Sequence, residues 1–313
     1  MNLSKTILDH AHRHGVVVPS LNIPHLPMMA PVVRACVDEQ CVAFISVARV
    51  EWEKFEAEST AAIKREYDRL VDDEETRRQI RLHLDHVPVI DEDLLRVDYR
   101  SIIERAIAEG YDSVMVDGSR LSLEENIAAT KEIVDLAHQA GVPVEAELGS
   151  VLGHEEGPPP PYEEVFESKQ GFTVPEEAHR FVQRTGCDWL SVAFGSVHGA
   201  LSEAYRDAKK PDARLDLDHL ELLAQATGIP LVLHGGSGVQ ARYLQPAFKT
   251  GIAKMNIGTE IRQAYSAALR ETSDVAKAQE AVYERTRRLI QDDLGVAGSK
   301  NIFSDVLNAE DTA

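Results

Sequence analysis

Eight short β-rich runs recur along this chain, each separated from the next by a longer stretch with helical periodicity or acidic helical character. The runs read as strands at Val16 to Pro19, Val42 to Val47, Ile80 to Leu84, Ser113 to Val116, Pro143 to Glu147, Trp189 to Ala193, Pro230 to Leu233 and Ala253 to Asn256. Helix patterns between them include Arg100 to Ala108, Leu123 to Gln139, Glu176 to Thr185, Asp218 to Ala226 and Arg242 to Lys249. Gly110, Gly141, Gly186, Gly228 and Gly251 each stand just ahead of an apolar run, where a helix-ending glycine hands the chain to the next strand. Regular alternation of strand and helix specifies parallel pairing. The count of eight points to a closed (β/α)8 TIM barrel, an α/β fold, more than to an open doubly wound sheet. Such barrels run to ~250 residues as one domain. Residues 1–313 therefore read as a single barrel domain with extended loops and C-terminal helices.

Two segments are longer than ordinary connections. Glu51 to Gln79 reads as one charged helical stretch, and Gly153 to Val174, with Pro158, Pro159, Pro160 and Pro161, as either a loop over one barrel mouth or a disordered surface insertion.

Composition narrows the function. The chain carries 52 acidic and 33 basic side chains, a formal charge of −19. Nucleic-acid binding draws on concentrated Lys and Arg, which this sequence gathers nowhere. Any phosphate it binds must be held by a few placed groups. No run approaches the ~20 apolar residues of a membrane span, and Met1 to His14 lacks the basic and apolar regions of an export signal. The expected address is the cytoplasm, with no membrane partner. Cys36, Cys41 and Cys187 are odd in number and show no CxxC spacing, so they read as small buried hydrophobes rather than disulfides or metal ligands.

Barrel enzymes build their sites where strands end. Strand three ends in Leu82-His83-Leu84-Asp85-His86, strand six in Phe194-Gly195-Ser196-Val197-His198-Gly199, and strand seven in His234-Gly235-Gly236-Ser237-Gly238. Three strands thus deliver a histidine to one rim, and three imidazoles with an open position are the ligand set of a catalytic zinc. Asp85 adjoins His86, so it either moves a proton beside a polarised carbonyl or orients a ligand histidine. The glycines after His234 let backbone N–H groups approach an anion, and Met255-Asn256-Ile257-Gly258-Thr259 supplies a second such loop ahead of a helix. Loops after strands seven and eight are where many barrels hold a phosphate.

These residues resemble the class II, zinc-dependent ketose-bisphosphate aldolases, the group that includes fructose-1,6-bisphosphate and tagatose-1,6-bisphosphate aldolases. The match runs from about Asn22 to about Arg270. It is carried by HLDH from His83, SVMVDGSRLSLEENI from Ser113, VEAELG from Val144, VAFGSVHG from Val192, LVLHGGSGV from Leu231 and KMNIGTE from Lys254. The resemblance implies a reversible cleavage of a ketose (bis)phosphate to dihydroxyacetone phosphate and an aldehyde, through an enediolate whose charge zinc carries. It implies that His86, His198 and His234 ligate Zn2+, with Asp117 and Glu147 on acidic positions near the metal. Asp85 would be the acid/base at the C4 hydroxyl, Asn256 would hold the enediolate, and Glu155 on a mobile loop would move the C3 proton. Gly199, Gly235, Gly236, Ser237, Gly258 and Thr259 would hold the donor phosphate, with Asn22 also at the substrate. A monovalent cation, Na+ or K+, held by carbonyls around Gly199 and Gly235, and a homodimer or homotetramer are further implications.

The chain departs from the family pattern in three places. After strand two, Ser46-Val47-Ala48-Arg49-Val50-Glu51-Trp52 replaces a Gly/Thr/Ser-rich turn; Gly153-His154-Glu155-Glu156 lacks a Gly-Gly pair; and residues 87–98 are extra. All three surround the acceptor side. On the residues alone, other readings stay open: a Schiff-base aldolase using Lys254, which shares a strand face with Asn256, a metal-dependent hydrolase on a phosphorylated sugar, and a sugar-phosphate sensor.

Overall fold

The computed structural model describes residues 2–150, 162–197 and 213–309. Strands β1 Val18–Asn22, β2 Ala43–Ala48, β3 Ile80–Pro88, β4 Ser113–Asp117, β5 Val144–Leu148, β6 Trp189–Val192, β7 Leu231–Leu233 and β8 Ile252–Ile257 form a closed barrel. Each strand pairs in parallel with the next, and β8 returns to β1 with Ser20 opposite Asn256. The helices are α1 Leu3–His14, α2 Met29–Asp38, α3 Arg49–Lys54, α4 Thr60–Leu70, α5 Glu74–Gln79, α6 Tyr99–Glu109, α7 Leu123–Gln139, α8 Tyr162–Ser168, α9 Pro175–Thr185, α10 Leu217–Thr227, α11 Ala241–Thr250, α12 Thr259–Thr272, α13 Val275–Arg288 and α14 Ser304–Leu307. Among the described residues no helix is long and apolar enough to cross a membrane.

All eight expected strands are present, and differences lie at the ends and in the long segments. The stretch from Glu51 to Gln79 is cut into pieces because two side chains begin new helices. Ser59 accepts the Ala62 N–H at the start of α4, and Asp73 accepts the Thr76 N–H at the start of α5, each satisfying an orphan donor. Within Gly153 to Val174, the described part is not all loop, since it holds α8. Gly110 and Gly228 end their helices in the left-handed conformation, whereas Gly251 sits at φ 136° outside it. The three cysteines are free and buried, and burial raises their thiol pKa values, for Cys41 and Cys187 to about 12.

Alternate residues of a strand face opposite sides, and the two sides here differ in chemistry. Leu82, Leu84, Val144, Ala146, Ile252 and Ile257 belong to the apolar layer between strands and helices. Val18, Phe44, Trp189 and Val232 join Ile7, Leu8 and Ala11 of α1 and Phe303 beside α14 in a second cluster that plugs one end of the barrel. Above that plug the buried residues turn polar: Ser20, Ser46, His83, Ser113, Glu145, Ser191 and Lys254. Buried polar groups are costly unless hydrogen-bonded, and most of these pair within their own layer: Ser20 with Ser46, His83 with Ser113 at 2.8 Å, and Lys254 with Glu145 at 2.8 Å.

Candidate active site

One irregularity aims the central residues. Leu84 of β3 pairs with Val114 of β4, yet the next pair is Val87 with Val116, so β3 carries one extra residue. That bulge falls on Asp85 and His86, and His86 takes φ 33°, in the left-handed region. Sequence neighbours on a regular strand would point to opposite faces. Here Asp85 meets Asn22 and Asn256 while His86 meets Asp117 and His234, all at the mouth.

His86 and His234 form the core of the site. His86 Nδ1 lies 3.1 Å from Asp117 Oδ2 and 3.5 Å from Glu147 Oε2. His234 is anchored from behind, its Nε2 2.8 Å from Glu145 Oε1. Carboxylates only accept, so these contacts assign the ring protons to His86 Nδ1 and His234 Nε2. The other two nitrogens, His86 Nε2 and His234 Nδ1, face each other at 2.6 Å. Two lone pairs at that distance repel unless positive charge lies between them, whether an extra proton or a metal ion.

The surrounding acids show the same shortage of positive charge. Burial disfavours a charged His86, but Glu147, Asp85 and Asp117 outweigh it and hold the imidazole pKa up at about 10. Burial pushes the Glu147 carboxyl well up, with the Asp117 charge adding to it. Glu147 Oε2 is enclosed and makes no hydrogen bond among the described residues. Donor atoms of Asp85, His86 and His234, and of His86, Asp117 and Glu147, each lie within 4.8 Å of one another. Imidazole nitrogens with carboxylate oxygens suit zinc and other divalent ions, so the residues present fit the metal that the sequence implies.

Asp85 is held ionised. It is buried, which raises its pKa, but His86, His234 and Lys254 more than offset this and hold it at about 2. Asn22 Nδ2 donates to Oδ2 at 2.8 Å and Asn256 Nδ2 to Oδ1 at 2.9 Å. Both bonds favour the ionised form. Lys254, by contrast, is unfit as a Schiff-base nucleophile, which must be neutral and reachable: it is 0% exposed and its Nζ is paired with Glu145 Oε2 at 2.8 Å.

The glycine loops after β7 and β8 lie side by side. Gly236 N–H donates to the Asn256 carbonyl at 3.3 Å, and a Cβ on Gly236 would come within 2.5 Å of the Met255 side chain. Gly258 caps α12, a helix of 14 residues that begins at Thr259, and a Cβ there would press on Asn22 at 3.1 Å. Gly235, Ser237 and Thr259 therefore share a rim with Asn256 and Asn22.

Two of the departures from the family pattern form one structure. Residues 87–98 fold back on themselves through an Ile90–Arg96 bridge and a Val97 N–H to Val89 carbonyl bond. Their acids grip α3, Asp91 pairing with Arg49 and Glu92 and Asp93 with Lys54. Glu51, in the first turn of α3, is buried and accepts the Ala48 N–H at 2.7 Å.

Of the residues expected from sequence, Asn22, Asp85, His86, Asp117, Glu147, His234 and Asn256 converge. His198, Gly199, Glu155 and Glu156 lie outside the described residues. Glu145 was missed, although it stands two residues before Glu147 and shares its inward face by strand period. Glu51 was missed as well, since only its enclosure distinguishes it from other helix acids.

The chain matches the family described as fructose-bisphosphate aldolase class-II over residues 2–301. Among solved structures it is similar to the YdjI aldolase from Escherichia coli K12, at 27% identity over 95% of this chain and 98% of that one, with a TM-score of 0.72. A putative fructose-1,6-biphosphate aldolase from Coccidioides immitis is similar at 27% identity, 96% and 98% coverage and a TM-score of 0.71. Fructose-bisphosphate aldolase from Campylobacter jejuni shares the fold at 20% identity, covering 94% of each chain, with a TM-score of 0.70.

Proposed function

The chain belongs to the class-II fructose-bisphosphate aldolase family and is accordingly a metal-dependent aldolase, a carbon–carbon lyase; we propose that it cleaves a ketose (bis)phosphate reversibly to dihydroxyacetone phosphate and an aldehyde. The observation that carries this reading is the facing pair of ring nitrogens at 2.6 Å, set beside a carboxylate held by two amides. A retired sensor has no need of a base held ionised.

Zinc is the proposed ion, held by His86 and His234 with His198 as third ligand, and with Glu147 and Asp117 beside them. Bound there, a divalent ion supplies Lewis-acid polarisation of the ketose carbonyl and stabilises developing negative charge. Asp85 takes the proton of the C4 hydroxyl. The C4–O bond becomes a carbonyl as the C3–C4 bond breaks, and its electron pair stays on the donor half. Asn256 places an N–H group at the edge of that half, and Glu155 returns a proton to C3. Gly199, Gly235, Gly236, Ser237, Gly258 and Thr259 hold the donor phosphate through backbone N–H groups, hydroxyls and the start of α12. A Na+ or K+ ion near Gly199 and Gly235, a homodimer or homotetramer, a cytoplasmic address and one domain over residues 1–313 complete the reading.

Product analysis tests it. The protein is incubated with fructose- and tagatose-bisphosphates and with their monophosphates, and dihydroxyacetone phosphate and inorganic phosphate are assayed. Triose phosphate without phosphate release is expected; phosphate release alone would transfer the site to a hydrolase.

A further inference from the structure

Lys254 is wholly enclosed in the barrel, two residues before Asn256 on β8. An enclosed ammonium is costly, and an apolar side chain of similar volume would be cheaper. Its contacts say what the charge does. Nζ donates to Glu145 Oε2 at 2.8 Å and to Asn256 Oδ1 at 2.7 Å. An ammonium only donates, so the Asn256 atom facing it must be the carbonyl oxygen. The amide nitrogen is then turned to Asp85, which only accepts. An asparagine amide otherwise turns over with little preference about its last torsion, and the reversed amide would set oxygen against the Asp85 carboxylate.

Glu145 carries the arrangement to the other side of the site. Its Oε2 also accepts Trp189 Nε1–H at 2.6 Å, and its Oε1 accepts the His234 Nε2–H at 2.8 Å. With its proton held there, His234 presents Nδ1 to His86. One enclosed ion pair thus touches both the group that orients the base and a candidate metal ligand.

We propose that Lys254, locked to Glu145, is a positioning residue: it fixes the Asn256 amide with N–H toward Asp85 and, through Glu145, fixes His234 with Nδ1 toward the metal-binding mouth. This rests on the aldolase reading for its activity arm. No bond to Lys254 forms or breaks.

The test compares the wild-type protein, Lys254→Met, the charge-matched double variant Lys254→Met/Glu145→Gln, Asn256→Ala and the triple variant. The double variant folds without an unpaired enclosed carboxylate should Lys254→Met alone fail to fold. Two readouts are taken: kcat and KM with the ketose bisphosphate that the wild type cleaves, and zinc affinity by competition with a chromophoric chelator. The double variant is expected to lose roughly 10- to 100-fold in kcat, the worth of one hydrogen bond to a charged group, with KM within about threefold. With zinc saturating in every assay, the same changes in the Asn256→Ala background should cost less than about threefold in kcat. Zinc affinity should fall about tenfold or more, as when an outer partner of a ligand histidine is weakened. Losses that add in full to that of Asn256→Ala, or zinc affinity unchanged from the wild type, overturn the proposal. Should the wild type bind zinc and cleave no ketose phosphate, the aldolase reading fails, and the affinities still decide the role of Lys254 and Glu145.

Discussion

Glu51 provides a test of the site's electrostatics that needs no substrate. It lies enclosed in the first turn of α3, and burial pushes its carboxyl pKa from 4.5 up to about 8. The Ala48 N–H pulls the other way, the Asp85 charge adds to the rise, and Asn22 and His86 oppose it. In the unfolded chain the group gives up its proton near pH 4.5; in the folded chain it keeps the proton until about pH 8. Between those values the unfolded state binds fewer protons, so stability falls as pH rises, by up to about 1.4 kcal/mol per pH unit. Across the whole window the loss approaches about 5 kcal/mol, and above pH 8 it grows no further.

Glu51→Gln titrates nothing and keeps an oxygen for the Ala48 N–H. The assay is urea unfolding of both proteins at pH values from 5 to 9, with a chelator present so that no divalent ion adds to the field. The unfolding free energy of the variant minus that of the wild type should climb by about 1 kcal/mol or more per pH unit up to about pH 8 and then level off. A difference that stays flat from pH 5 to 9 refutes the reasoning, because Glu51 would then be ionised in both states throughout.

Three further outcomes are expected. Exhaustive chelation should abolish turnover, and His234→Ala or His198→Ala should lose metal together with activity, read by elemental analysis; full activity without metal removes the central reading. Asp85→Asn keeps the shape but not the base, so cleavage should fall by at least ~10²-fold with metal content near normal, whereas loss of the metal would make Asp85 an orienting residue. Glu155→Gln should slow deuterium exchange at C3 of dihydroxyacetone phosphate, measured without acceptor, more than it weakens donor binding; unchanged exchange in both the Glu155 and Glu156 variants returns that loop to plain surface.

The barrel was legible because its signals are local. Each strand is a short apolar run, and Gly110 and Gly228 take the left-handed conformation that their place before such runs predicts. The segment from Glu51 to Gln79 misled for a matching reason. Its charged composition reads as continuous helix, while the breaks depend on where Ser59 and Asp73 turn their side chains onto the backbone ahead. That preference belongs to a residue and its setting, and window averages do not carry it.

The site was legible as residue types and illegible as directions. Period-two alternation applied to HLDH groups His83 with Asp85 and sends His86 to the outer, apolar face. Only the bulge opposite Val114 and Val116 reverses this, and nothing in the four letters announces a residue at φ 33°. Lys254 shows the other limit. Its strand position beside Asn256 was correctly read, but the same position admits a neutral amine aimed at substrate or an ammonium turned downward onto an acid. What separates them is Glu145, more than a hundred residues earlier, brought within 2.8 Å by closure of the barrel. A side chain's chemistry is set by what closure puts beside it. Residues whose roles depend on such partners, Glu145, Lys254 and Glu51, become readable only once the eight strands are joined.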